Sequence, residues 1–206
     1  LSVFPDNLSH TDSLANRVSA YYQQCGYNIP VRYIHRLDYE TTGLTLFCKC
    51  SFIQPLMDYQ LSIKEIQRKY LAIVKGKLTG YKQHSICQPI GRDRHHNQRM
   101  IVSSSGKRAC TYYQCIATNQ DLSVVECTLD TGRKHQIRVH MASIGHPIIG
   151  DPVYGLKKDR FSNIGGQCLH AAKLTLTHPK TGERMEFSAS LPQYFTEVLD
   201  KLERMQ

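Results

Sequence analysis

The stretch from position 68 to 129 constrains the fold more than any other, because it consists largely of short alternating runs separated by Gly, Asn or Asp. In 68–75, Tyr70, Ala72 and Val74 share one face and Leu71 and Ile73 the other, the period of two that a strand imposes. Runs at about 85–90, 99–103, 108–118 and 122–129 follow at hairpin spacing and predict an antiparallel region. Past Asp130-Thr131-Gly132 the period lengthens: Ile137, Met141 and Ile144 recur at helical spacing until Gly145-His146-Pro147 stops the run. Upstream, Asp12 followed by Leu14, Val18 and Tyr21 predicts an N-capped helix to about Cys25. Leu44, Leu46 and Cys48 alternate as in a half-buried strand, and 51–62 reads as a helix with Pro55 in its first turn. Strands at 168–177 and 183–189 precede a closing helix from Pro192 to about Arg204, buried through Leu191, Phe195, Val198, Leu199 and Leu202. The expected architecture is α+β, a large mixed, mostly antiparallel sheet with flanking helices. With 206 residues, no internal repeat and no low-complexity linker, one domain over 1–206 is expected. The chain begins at Leu1 rather than Met, so its natural N-terminus is expected to be missing.

Charge narrows the partners. The net charge is +9, and the segment from Lys64 to Arg108 alone holds eleven Lys or Arg against Glu65 and Asp93. That one segment accounts for the whole excess. Such a strip is the electrostatic footprint of a protein that neutralises phosphates; a basic face kept for solubility is the alternative. No apolar run approaches the ~18 residues of a membrane span, and the start does not read as a signal peptide.

The eight cysteines are irregularly spaced and several lie in apolar runs, where cysteine acts as a small hydrophobe. Unpaired thiols in a reducing, cytoplasmic setting fit better than a disulfide framework. No C-x-x-C pair occurs, so a zinc site is not expected.

Two clusters carry chemistry. In His35-Arg36-Leu37-Asp38, which runs on to Thr41-Thr42-Gly43-Leu44, a carboxylate stands beside cationic groups. It is either a structural ion pair or a working carboxylate. In 131–140, five basic or imidazole groups cross a strand-to-helix junction. There Arg138 borders the apolar stripe of Ile137 and Met141, either snorkelling outward or pairing inward with a carboxylate. A metal on His135 and His140 is disfavoured, because a spacing of five does not put both on one helix face.

Taken together, these segments resemble a known family. HRLDYETTGL is similar to the signature of the RluA-type pseudouridine synthases, which usually read HRLD-x-x-T-S-G-L. RKYLAIVKG, LDTGRKHQIRVHMASIGHPIIGDPVYG and LHAAKLTLTHPKTGE resemble that family's later blocks, in family order, over 35–183. The resemblance implies an isomerase that detaches a uracil in RNA from its ribose and reattaches it through carbon, with no cofactor and no metal. It assigns Asp38 as the catalytic aspartate, Arg138 as its partner, and Tyr70 as the active-site tyrosine against the uracil. Arg36 falls on the arginine that fills the space of the extruded base, and Ile137 on an apolar wall of the base pocket. Arg92, Arg94, Arg99, Lys107 and Arg108 from the basic strip are the expected phosphate contacts. Thr42 departs from the usual Ser but keeps the hydroxyl, and Tyr39 holds a variable position. An Asn-Lys-Pro-like strand is expected before Leu1, with 2–5 as its tail. The partner is expected to be RNA, ribosomal first and transfer second, bound by a monomer with no obligate protein partner. The competing reading is an inactive RNA-binding protein of the same fold. A base deaminase is disfavoured, since H-x-E and P-C-x-x-C are absent.

Overall fold

The computed structural model describes residues 2–4, 12–156 and 164–203. The chain runs through α1 (Leu14–Gln24), β1 (Arg32–Tyr33), β2 (Thr42–Gly43), β3 (Phe47–Cys48), α2 (Gln54–Ser62) and β4 (Gln67–Lys75). It continues through β5 (Gln83–Ile86), β6 (Ile90–Arg92), β7 (Met100–Val102), β8 (Thr111–Thr118), β9 (Leu122–Leu129) and α3 (Gln136–Ser143). It closes with β10 (Leu169–Thr177), β11 (Arg184–Ser188) and α4 (Gln193–Glu203). Arg204, the expected end of the closing helix, lies outside the described residues, as does Pro5 of the 2–5 tail.

The principal sheet has the order β11-β10-β4-β9-β8-β5, antiparallel throughout, with β2 added to β10 in parallel. This is the mixed, mostly antiparallel α+β arrangement expected. β4 is central because it is buried on both faces: Ala72, Ile73 and Val74 have no exposed surface. The main core joins them to Ile137 and Met141 of α3 and to Phe195, Val198 and Leu202 of α4. A smaller cluster packs Met57 of α2 with Leu174 and Leu176 of β10.

Several boundaries differ for local reasons. Ser13, not Asp12, caps α1: its hydroxyl accepts from the Asn16 amide at 3.3 Å, while Asp12 pairs with Arg17 at 2.9 Å. The strand expected over 44–48 shrinks to β3, because Leu44 is held instead by its amide donating to the Ala171 carbonyl at 3.0 Å. The run at 85–90 splits into β5 and β6 around Pro89, which has no N–H to give a ladder. β6 and β7 pair with each other as a two-stranded hairpin, and Ile90 of β6 also bridges to Lys107.

The expectation of unpaired cysteines fails at one place. Cys87 follows Ile86, whose partner across the β5–β8 ladder is Thr111, so Cys87 meets Cys110 and the two form a disulfide. Cys48, Cys115, Cys127 and Cys168 are buried free thiols, the small-hydrophobe role expected.

Candidate active site

Three segments far apart in sequence meet at one cavity of about 990 Å³. The loop between β1 and β2 brings His35, Arg36 and Asp38; β4 brings Arg68 and Tyr70; the turn after β9 and the start of α3 bring Thr131 to Lys134 and Ile137.

β10 sets the position of the first two. Its Ala171 lies opposite Tyr70 on one side and opposite Gly43 on the other. Gly43 has φ +104°, and a Cβ there would stand 2.3 Å from the Ala171 carbonyl oxygen, so only glycine permits this approach. The two threonines before it are tied down as well. Gln167 donates to Thr41 Oγ1 at 2.8 Å, Thr42 Oγ1 meets His170 Nδ1 at 2.8 Å, and the Thr41 amide donates to the Asp38 carbonyl at 3.0 Å. The short loop carrying Asp38 is thereby fixed at its exit.

Gln136 pins the third segment. Its amide donates to the Cys110 carbonyl (3.0 Å) and Thr111 Oγ1 (3.1 Å), and its Oε1 accepts from Thr131 Oγ1 (2.7 Å) and the Arg133 amide (3.0 Å). His135 takes a left-handed conformation at φ 56°, and α3 starts from it.

Arg138 pairs inward, not outward. Its Nε and Nη2 donate to Asp151 Oδ2 and Oδ1 at 2.7 and 2.8 Å, and Nη1 stands 3.6 Å from Asp38 Oδ2. The side-chain exposures order the three groups: 0% for Asp151, 6% for Arg138 and 19% for Asp38. Asp151 Oδ1 also accepts the Val153 and Tyr154 amides at 2.8 and 3.0 Å. The two-point fork therefore belongs to Asp151, and Asp38 receives the longer contact. Burial works against the charge on Arg138, but the hydrogen bonds and charge of Asp151, with Asp38 behind them, hold its pKa above the usual value.

Around this trio the neutral groups stay neutral. Burial pushes Tyr70 up, with Asp38 adding to the effect and Arg68 opposing it. His35 falls to about 3 through burial and then the Arg68 charge. His135 falls to about 4, chiefly by burial, and its Nδ1 bonds the Tyr154 hydroxyl at 2.9 Å. The Tyr154 hydroxyl also accepts the Met100 amide at 2.8 Å, and its ring faces Arg138 with the guanidinium carbon 5.2 Å from the ring centre. Tyr154 thus joins the arginine to the β6–β7 hairpin.

Of the residues singled out in the sequence, Asp38, Tyr70, Arg36 and Ile137 line the cavity, and Arg138 lies behind Asp38. Arg92, Arg94, Arg99, Lys107 and Arg108 are exposed on and beside the β6–β7 hairpin. Arg108 also reaches Asp130 at 3.4 Å, so it is the least free of the five. Both ring nitrogens of His140 are paired, with Thr111 Oγ1 and the Gln88 carbonyl, and His135 Nδ1 is paired with the Tyr154 hydroxyl; no group of metal-holding residues is found among the described residues. Sequence reasoning misses Asp151, Gln136, Tyr154 and Arg68. Asp151 has one visible signal, a lone carboxylate after the apolar pair Ile148-Ile149.

A carboxylate beside a buried arginine, and a buried tyrosine, thus share one cavity. The sequence model of one family, RNA pseudouridylate synthase, matches residues 6–143. An uncharacterized RNA pseudouridine synthase of Bacillus subtilis, YhcT, is 41% identical over 194 residues, 93% of this chain and 63% of its own length. The ribosomal large subunit pseudouridine synthase D of Nitrosomonas europaea is 36% identical over 211 residues, covering 100% of this chain and 61% of that protein. The solved structure of human RNA pseudouridylate synthase domain containing 4 superposes with a TM-score of 0.75 at 23% identity, over 98% of this chain and 86% of that one. The chain belongs to the RNA pseudouridylate synthase family. It spans about six-tenths of the length of the two bacterial relatives. The RluA-type resemblance read from the motifs is borne out by relatives of this kind. Among the described residues no helix is long and apolar enough to cross a membrane.

Proposed function

We propose that the chain is a catalytic domain that isomerises uridine to pseudouridine in structured RNA. The observation that carries this reading is the buried Asp38–Arg138–Asp151 arrangement opening on a cavity that also holds Tyr70. Arg138 sets a positive charge 3.6 Å from Asp38 without taking up its lone pairs in a fork, because the fork is spent on Asp151. Asp38 attacks C1′ or removes the C2′ proton, the N1–C1′ bond breaks, the uracil turns, and C5 bonds to C1′. Tyr70, protonated at neutral pH because burial raises its pKa, acts at C5 through its hydroxyl as a proton relay rather than as a standing phenolate.

The target uridine must leave its stack at a cost of roughly a few kcal/mol. Arg36, exposed at the cavity rim, is positioned to occupy the vacated space. Arg92, Arg94, Arg99, Lys107 and Arg108 supply phosphate contacts that offset part of that cost. Ribosomal RNA is the first substrate class and transfer RNA the second. Support for that order comes from relatives whose names specify the ribosomal large subunit, in Nitrosomonas europaea and Haemophilus influenzae.

The test is release of tritium from RNA labelled at uracil C5, using separate ribosomal and transfer RNA pools, with Asp38→Ala alongside. Release that requires Asp38 supports the reading and identifies the pool. A protein that binds RNA but releases no tritium from either pool is a binding protein of this fold, and the reading falls.

A further inference from the structure

The charges around the cavity are unevenly placed. On one side Asp38, Arg138 and Asp151 together carry a net −1 when all are ionised. On the other stands Arg68, two residues before Tyr70 on β4 and so on the same face of the strand. It is half-buried, lines the cavity, and its Nη2 stands 3.8 Å from where a Cβ on Gly132 would be. No ion pair among the described residues uses it, unlike Lys64, Lys69 and Arg108, which all have carboxylate partners. Arg68 interacts instead with the neighbouring Tyr70 side chain, and a second group without an ion-pair partner lies close by. His35 Nε2 accepts the Leu46 amide at 3.3 Å, which places the ring proton on Nδ1, and buried Nδ1 has no partner. Its depressed pKa, due first to burial and then to Arg68, agrees with a neutral ring next to that guanidinium.

The proposed reaction needs a positive group on this side. When N1–C1′ breaks, its electron pair leaves with N1. If Asp38 bonds C1′, the carboxylate loses its charge and the uracil gains it. If Asp38 instead takes the C2′ proton and C1′=C2′ forms, the result is the same. By either route one negative charge moves from the Arg138 side to the base, where it spreads over N1, O2 and O4. It returns when C5 bonds to C1′ and Asp38 is released, or hands its proton back to C2′. The C5 proton then leaves and N1 gains one.

Building on that reading of function, we propose that Arg68 is a further catalytic residue, whose guanidinium binds the detached uracil anion while it turns. Arg68 therefore acts on the transition state for detachment rather than on RNA affinity.

The experiment compares wild type, Arg68→Gln and Arg68→Lys on RNA containing uridine or 5-fluorouridine, following loss of the N-linked nucleoside by digestion and mass spectrometry, with thermal melting as the fold control. Arg68→Gln is expected to lower kcat on uridine roughly 10²–10³-fold, the scale of one oxyanion donor. KM should stay within about threefold, and Arg68→Lys should recover at least about tenfold of the loss. 5-Fluorouracil leaves as a more stable anion, so both deficits should shrink on that RNA. A wild-type kcat in Arg68→Gln, a loss confined to KM, or equal deficits on the two nucleosides overturns the proposal. If Arg68→Gln does not fold, the same comparison of the two RNAs is read from Arg68→Lys. A wild type that converts no uridine refutes the proposed function itself, a result distinct from an active wild type whose Arg68 variants are unimpaired.

Discussion

Asp151 gives the sharpest test of how the site is held together. Its carboxylate is dry, receives two charge-assisted bonds from Arg138 and accepts two backbone amides. In Asp151→Asn the Oδ1 oxygen still serves Val153 and Tyr154, but an NH2 group now faces the Arg138 Nε–H. Donor meets donor in a site closed to bulk solvent, and a buried cation loses its main counter-charge. Breaking one side of such a pair costs about 3–5 kcal/mol. For a chain of this size that corresponds to a fall in Tm of about 6–20 °C. Arg138 is then free to swing its fork onto Asp38, which commits the carboxylate that the proposed reaction needs free. A kcat loss of at least about 100-fold with little change in KM is therefore expected. The double variant Asp151→Asn/Arg138→Met separates stability from chemistry. With the cation gone it should melt higher than Asp151→Asn alone, yet remain inactive. Thermal melting and tritium release measure both quantities. An Asp151→Asn protein with wild-type Tm and kcat would refute the claim that Asp151 fixes Arg138.

Two further outcomes are expected. His35 has a folded pKa of about 3 against an ordinary 6.5, so between those values the unfolded chain binds a proton that the folded one does not. Its contribution is therefore complete above pH 6.5 and lost as the pH falls toward 3; urea unfolding of His35→Gln should show a shallower loss over that window than wild type, and parallel curves would contradict the assignment. Replacing Arg92, Arg94 and Arg99 by Glu should weaken RNA binding and reduce the slope of log K against log salt by about 0.7–0.9 for each phosphate no longer neutralised. An unchanged slope would make the hairpin a solvated face.

Much of the fold is legible because the apolar runs from 68 to 129 are short and separated by turn residues, and β9 has the expected bounds of 122–129. What escapes has physical reasons. β2 is two residues long, too short for any periodicity, and exists only because Gly43 can press on Ala171. Ser13 and Asp12 are equally good cap types, and only the backbone decides between them. At the site, motif resemblance brings Asp38, Tyr70 and Arg138 together, and the structure agrees on their proximity. The resemblance names one partner for Arg138, whereas the buried one is Asp151, and sequence cannot tell which of two carboxylates faces a given fork. In the sequence Arg68 is one charge in a basic strip. In three dimensions that strip separates into a cavity cation, residues paired with Glu126 or Asp130, and the exposed hairpin.

That separation follows from how the sheet is used. Asp38, Tyr70 and Ile137 come from segments about thirty and seventy residues apart, yet each is fixed by backbone bonded in register or by buried side-chain bonds. Such anchoring suits groups that must hold a geometry to within about half an ångström. The basic hairpin, proposed to meet phosphates, can keep a looser tolerance, since exposed charges still attract over a Debye length of about 8–10 Å. It forms its own two-stranded sheet and meets the site through Tyr154, whose hydroxyl takes the Met100 amide while its ring lies against Arg138. Ile90 and Met100 of the hairpin also pack with Val139 and Ala142 of α3, the helix that carries Arg138, so the arm and the buried arginine share an apolar contact, and a change on the packed face of the hairpin is transmitted to the site while one on its exposed face is not.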